Sequence, residues 1–168
     1  TIINGVMLRA ALQSRSNYEV RVMTAHPMNW VAEPFIRLRA LKHLPKGYIL
    51  ICAGGIGQPF VTTDYPAVQR AVETDCEAIL IAKHGVDGVY SGDPNEDNGA
   101  QRYATIGYDD IVKQDLRVMD QSALLMARDH NLPVHIFDFD QPGCIRRILT
   151  GEHVGTVVTR DAEPHFAD

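Results

Sequence analysis

Cysteine is scarce: Cys52, Cys76 and Cys144 are scattered, with no CxxC pair. A disulfide framework or a thiolate zinc site needs paired or clustered cysteines, so neither is expected, and each thiol reads as a small buried apolar side chain in a reducing compartment. No apolar run reaches the roughly 20 residues that a membrane-spanning helix needs. No basic-then-apolar leader opens the chain either, so a cytoplasmic protein without a membrane partner is expected. Positive charge is also short, with 16 Lys and Arg against 21 Asp and Glu for a net charge of -5. Holding a nucleic acid by bulk electrostatics takes a dense basic face, so no such partner is expected, whereas a small anion needs only a few local donors. No repeat, low-complexity tract or linker divides the 168 residues. One folded domain is expected over residues 1–159, followed by a polar, poorly ordered tail over 160–168. The chain opens on Thr1 as if in the middle of an element.

The densest chemistry lies at residues 48–64, YILICAGGIGQPFVTTD. A short apolar run bounded by Gly54, Gly55 and Gly57 reads as a buried strand delivering a glycine-rich loop. Glycines let backbone N–H groups approach a ligand with no Cβ in the way, and an array of such groups is an anion site. Thr62 and Thr63 add hydroxyl donors, and Asp64 follows directly before a helical pattern over 65–74. A plain turn needs neither two adjacent hydroxyls nor a carboxylate after them, so phosphate is the natural ligand class.

Upstream, a helix is expected over 4–14, a half-buried strand over 19–24, and a basic helix over 32–44 carrying Arg37, Arg39, Lys42 and His43. Downstream, a buried strand over 76–81 runs into a second glycine- and aspartate-bearing loop over 83–94. Strand, helix and strand, with a glycine loop after each strand, is the βαβ grammar of an α/β domain. Ligands on open α/β sheets sit beyond the carboxyl ends of the strands, so both loops are expected to line one crevice. An exposed loop over 95–101, helices over 107–115 and 119–130, a strand over 134–139, a helix after Cys144 and an edge strand over 156–159 complete the reading. Asp120 fits equally well as a helix N-cap or as a group near the active site. The histidines at 26, 43, 130, 135, 153 and 165 read as surface or internally satisfied groups.

Four ordered strings carry a resemblance: GIGQPFVTTD from Gly55, VDGVYSGDP from Val86, LRVMD from Leu116 and GEHVGT from Gly151. Together with Ile3-Asn4-Gly5 and Ala32-Glu33-Pro34-Phe35, they resemble the bacterial uridylate kinases of the amino-acid kinase family, over roughly residues 1–159. The resemblance implies a three-layer αβα sandwich around a mostly parallel sheet, N-terminally incomplete here. It implies transfer of the γ-phosphoryl of ATP to UMP, giving UDP and ADP, in pyrimidine nucleotide biosynthesis. By the same resemblance UMP lies against Gly55, Ile56, Gly57, Gln58, Pro59, Phe60, Val61, Thr62 and Thr63. His84, Tyr90 and Asp93 fall at the ATP positions, and Asp64 is the catalytic aspartate that orients lysines.

Magnesium is expected with ATP, held mainly by phosphates because the sequence shows no cage of carboxylates. A homohexamer activated by GTP and inhibited by UTP is implied as well, with the basic helix from Arg37 as a candidate effector or subunit contact. Ile56 and Gln58 stand where family members often carry Thr and Asn. The family's leading strand, with its lysine and phosphate-holding glycines, is not found in these residues, and a chain without it is expected to be inactive. A non-catalytic nucleotide-binding, storage or sensor protein on the same fold is the alternative that Ile56, Gln58 and the absent lysine would favour.

Overall fold

The VRVMT run is buried along almost its whole length, as a strand needs to be when it has a neighbour on each side and cover on its faces. In the computed structural model it forms β1 (Val20–Thr24), the centre of a parallel sheet in which β2 (Glu33–Pro34) and β3 (Ile49–Ala53) flank it. The structure describes residues 1–94, 96 and 99–167. Asn95, Asp97 and Asn98 of the expected exposed loop, and Asp168 of the expected tail, lie outside the described residues.

By its internal contacts the chain divides into two compact units, Thr1–Thr74 and Asp75–Asp168. In the first, α1 (Ile2–Gln13) packs on β1 and β3 through Gly5, where a Cβ would meet the side chains of Ala53, Ile51 and Val22 at 3.3–3.4 Å. The basic helix is shorter than its charge pattern suggested: α2 covers Arg37–His43 and is preceded by β2. Pro34 explains the difference, because the residue before a proline is driven to extended backbone. Three of the basic groups near α2 converge on one carboxylate: His43 at 3.3 Å from Glu33, and Arg21 and Arg39 each at 3.8 Å. The unit closes with α3 (Asp64–Glu73), which buries Pro66, Val68 and Ala71.

The second unit is built on a five-stranded sheet in the order β4-β6-β7-β5-β8, from β4 (Ile79–Lys83), β5 (Tyr103–Gly107), β6 (Val134–Asp138), β7 (Thr156–Thr159) and β8 (His165–Phe166). The pairs β4·β6 and β5·β7 are parallel, while β6·β7 and β5·β8 are antiparallel. The helices are α4 (Tyr108–Lys113), α5 (Gln121–Asp129) and α6 (Cys144–Leu149). Tyr108, Ile111, Ala123, Leu124 and Ala127 face the core with Ile106, Val134, Ile136 and Val158. The Tyr108 hydroxyl donates to the Leu132 carbonyl, and burial pushes its phenol well above the usual range.

Several expectations are corrected here. Residues 103–107 form a strand that the pattern does not predict, because it assigns Gly107 to the following helix; Gly107 instead ends β5 and serves as the N-cap of α4. The strand at 156–159 is not at an edge, since β7 lies between β6 and β5 with Thr156 and Val158 wholly buried. Residues beyond Thr159 carry β8, whose Phe166 stacks on Tyr103 at 4.5 Å between ring centroids, so the polar tail acquires order from an aromatic contact. Cys144 is buried as expected, but Cys52 and Cys76 are exposed.

Asp120 caps α5: its Oδ1 accepts the Ser122 N–H at 2.9 Å. Replacing Asp120 by alanine is expected to cost about 1 kcal/mol of stability. Urea denaturation of the variant checks this, and an unchanged midpoint would remove the cap from the account.

Candidate functional site

The glycine loop leaves β3 at Ala53 in a run of backbone conformations that L side chains rarely adopt, with φ of 85° at Gly54, 62° at Gly55 and 75° at Gly57. Glycine takes these values at no steric cost, and the chain folds back toward α3 with its N–H groups uncovered by Cβ atoms. The turn encloses a pocket of about 330 Å³ lined by Gly54, Gly55, Ile56, Gly57, Gln58, Pro59, Val61, Thr62, Thr63, Pro66 and His26. Thr63 is the N-cap of α3, and its hydroxyl makes no capping bond. The positive end of the helix dipole lies in the same first turn, which favours an anion.

Two of the sequence-derived residues are not in this lining. Phe60, itself at φ 62°, projects fully into solvent at 105% exposure. Asp64 is half-buried in the first turn of α3, where a carboxylate is favoured by the dipole. Arg70 braces the loop from behind: its Nη2 donates to the Gly55 carbonyl at 3.4 Å, and its guanidinium lies 3.8 Å over the Phe35 ring.

His26 and Pro66 are lining residues outside the sequence-derived set, and His26 is the one that carries polar atoms on its side chain. The signal that could have found it is the pairing of β1 with β3, which are parallel with Thr24 opposite Ala53. Residues just beyond two adjacent parallel strands leave the sheet side by side, so the segment after Thr24 must run beside the glycine loop.

The second loop belongs to the second unit and lines a pocket of about 560 Å³. Lys83, Val86, Tyr90, Ser91, Gly92, Asp93 and Pro94 form one side, and residues 114–118, which include the Leu116-Arg117-Val118 part of the LRVMD string, form the other. Tyr90 donates its hydroxyl to Asp87 Oδ1 at 2.7 Å, and that hydrogen bond holds its phenol above the ordinary range. Asp87 Oδ2 also holds Arg102 Nε at 3.3 Å. Behind the loop, the buried Thr156 hydroxyl accepts the Val89 N–H at 2.9 Å and donates to the Tyr103 carbonyl, tying the loop to β5 and β7. Gly88 is required at this point, since a Cβ there would sit 2.4 Å from Thr156 Oγ1.

Of the three residues expected near ATP, Tyr90 and Asp93 line the pocket. His84 does not; its Nδ1 pairs with Asp140 Oδ2 at 2.6 Å on an exposed surface. Among the described residues no group of three or more His, Cys, Asp or Glu is arranged to hold a metal ion, and no helix is long and apolar enough to cross a membrane.

A glycine loop at the carboxyl end of a parallel strand, followed by threonines at a helix start, is an arrangement at which α/β proteins bind phosphate groups. The chain belongs to the amino acid kinase family, whose model matches residues 1–138. It is 52% identical over 163 residues to the uridylate kinase of Frankia casuarinae, a match covering 97% of this chain and 63% of that protein. The chain thus spans less than two thirds of that relative's length. Among solved structures, the UMP kinase of Bacillus anthracis superposes with a TM-score of 0.96 at 58% identity, covering 100% of this chain and 68% of that one. The UMP kinase of Ureaplasma parvum gives a TM-score of 0.90 at 34% identity, covering 95% of this chain and 68% of its own.

Proposed function

We propose that the protein is a uridylate kinase, transferring the γ-phosphoryl group of ATP to UMP to give UDP and ADP in pyrimidine nucleotide biosynthesis. The observation that carries this is the glycine pocket with Thr62 and Thr63 at its rim, in a chain 52% identical to a uridylate kinase. The UMP phosphate is bound by the loop from Gly55 to Thr63, and ATP by the second loop, with Tyr90 beside the adenine and Asp93 near the nucleotide. Asp64 orients the lysines that act on the transferred group. The two units are parts of one kinase domain over residues 1–159, a reading supported by a family match that runs across both.

Phosphoryl transfer asks a protein for positioning and charge neutralisation more than for covalent chemistry. Mg²⁺ brought in with ATP would supply part of that neutralisation. The functional assembly is a cytoplasmic homohexamer activated by GTP and inhibited by UTP. A coupled assay for ADP production with ATP and UMP, run on the full-length protein beside calorimetric titration with UMP, tests the reading. Turnover with UMP is expected; UMP binding without turnover would replace the kinase by a nucleotide sensor.

A further inference from the structure

His26 sits in the segment directly after β1, and its place there is set by the backbone. The buried Thr24 hydroxyl donates to the His26 carbonyl at 2.7 Å, and Thr24 itself is locked in the parallel ladder opposite Ala53. The imidazole then reaches the glycine loop. A Cβ placed on Gly57 would lie 2.9 Å from its Nε2 and Cε1, so the missing side chain at Gly57 is what lets the ring lie against the loop. Gly57 therefore serves two ends at once, the left-handed turn and the room for this ring.

Among the described residues no hydrogen bond or ion pair engages the ring nitrogens of His26. The ring is exposed, yet it lines the pocket with Gly55, Gly57, Thr62 and Thr63. An imidazole always carries at least one N–H, so an uncommitted ring at a phosphate-sized pocket supplies a donor whichever tautomer it adopts. Thr62 and Thr63, at the start of α3, line the same pocket.

We propose that His26 is a ligand-contacting residue of the glycine pocket, donating a hydrogen bond from its imidazole to the phosphate monoester held there. This rests on reading the pocket as the UMP phosphate site, and the experiment separates the two. In the full-length protein the His26 imidazole resonance, assigned by its loss in H26Q, is followed during titration with UMP, uridine and inorganic phosphate, together with the Gly55 and Gly57 amides. UMP and phosphate are expected to shift the imidazole and uridine to leave it in place.

If UMP and phosphate move the glycine amides but not the imidazole, the pocket reading stands and the role of His26 is overturned. If phosphate moves both while UMP moves neither, the role of His26 stands and the choice of UMP falls. If nothing moves, both fall. Affinity gives the second readout: His26→Phe, which fills the space without a donor, should weaken UMP about tenfold or more, and His26→Gln should recover most of that loss. An undiminished affinity in His26→Phe would make the ring a mere spacer and refute the contact.

Discussion

Substituting alanine for Gly155 is expected to destabilise the second unit by about 3 kcal/mol or more, combining overpacking with a backbone that an L residue resists. Gly155 has φ 73°, and a Cβ there would lie 1.9 Å from the Ile136 carbonyl oxygen and 3.1 Å from that of Asp87. Both obstacles are backbone, so no side-chain rotation relieves them. The position sits one residue before β7, where Thr156 pairs with Ile136, and its carbonyl accepts a hydrogen bond from Arg102. Relief of the clash therefore means pulling β7 from β6 and loosening the second loop with it. Gly151→Ala is the matched control: φ is positive there too, at 88°, but nothing lies within 4 Å of the added atom. That variant should lose only about 1 kcal/mol, the backbone cost alone. Urea denaturation of the pair measures the difference, and equal midpoints would refute the account of Gly155.

Converting Thr62 and Thr63 together to valine is expected to weaken UMP binding by about 100-fold or more, since each hydroxyl bonded to a charged oxygen contributes about 1.5–3 kcal/mol. Stability should barely change. Both residues are exposed, and the Thr63 hydroxyl makes no capping bond to α3, so the folded chain does not draw on it. Calorimetric titration with UMP, alongside thermal denaturation, distinguishes a lost ligand contact from a lost fold. An unaltered affinity would take the phosphate out of this pocket.

The glycine loop was legible because its residues are few and specialised. Three glycines, two hydroxyls and a helix start in one short stretch leave little else for the backbone to do, and the structure gathers most of that stretch around one pocket. Phe60 and Asp64 belong to the same string yet lie outside the lining, because sequence adjacency fixes proximity along the chain but not the direction in which a side chain leaves it. His26 shows the converse: nothing near it in sequence marks it, and it meets Gly57 only through the pairing of two strands distant along the chain.

Local pattern also settled the type of most elements. The apolar spacing of α3 and α5 and the run of β6 come from side chains within one or two turns, which is the range over which periodicity carries information. β5 escaped because YATIG shows weak alternation and ends in a glycine shared with the next helix. Its neighbours β7 and β8 are contributed by residues more than fifty positions away.

By itself the sequence determined the α/β class, the two glycine loops and the kinship with the amino acid kinases, all of which depend on short-range pattern and residue chemistry. Only tertiary structure decided that β7 is interior, that the last residues form β8 against Tyr103, that Cys52 and Cys76 face solvent, and that an imidazole joins the glycine pocket. These depend on which strands pair and in what order, and that outcome is set by the packing of the whole sheet rather than by any stretch within it.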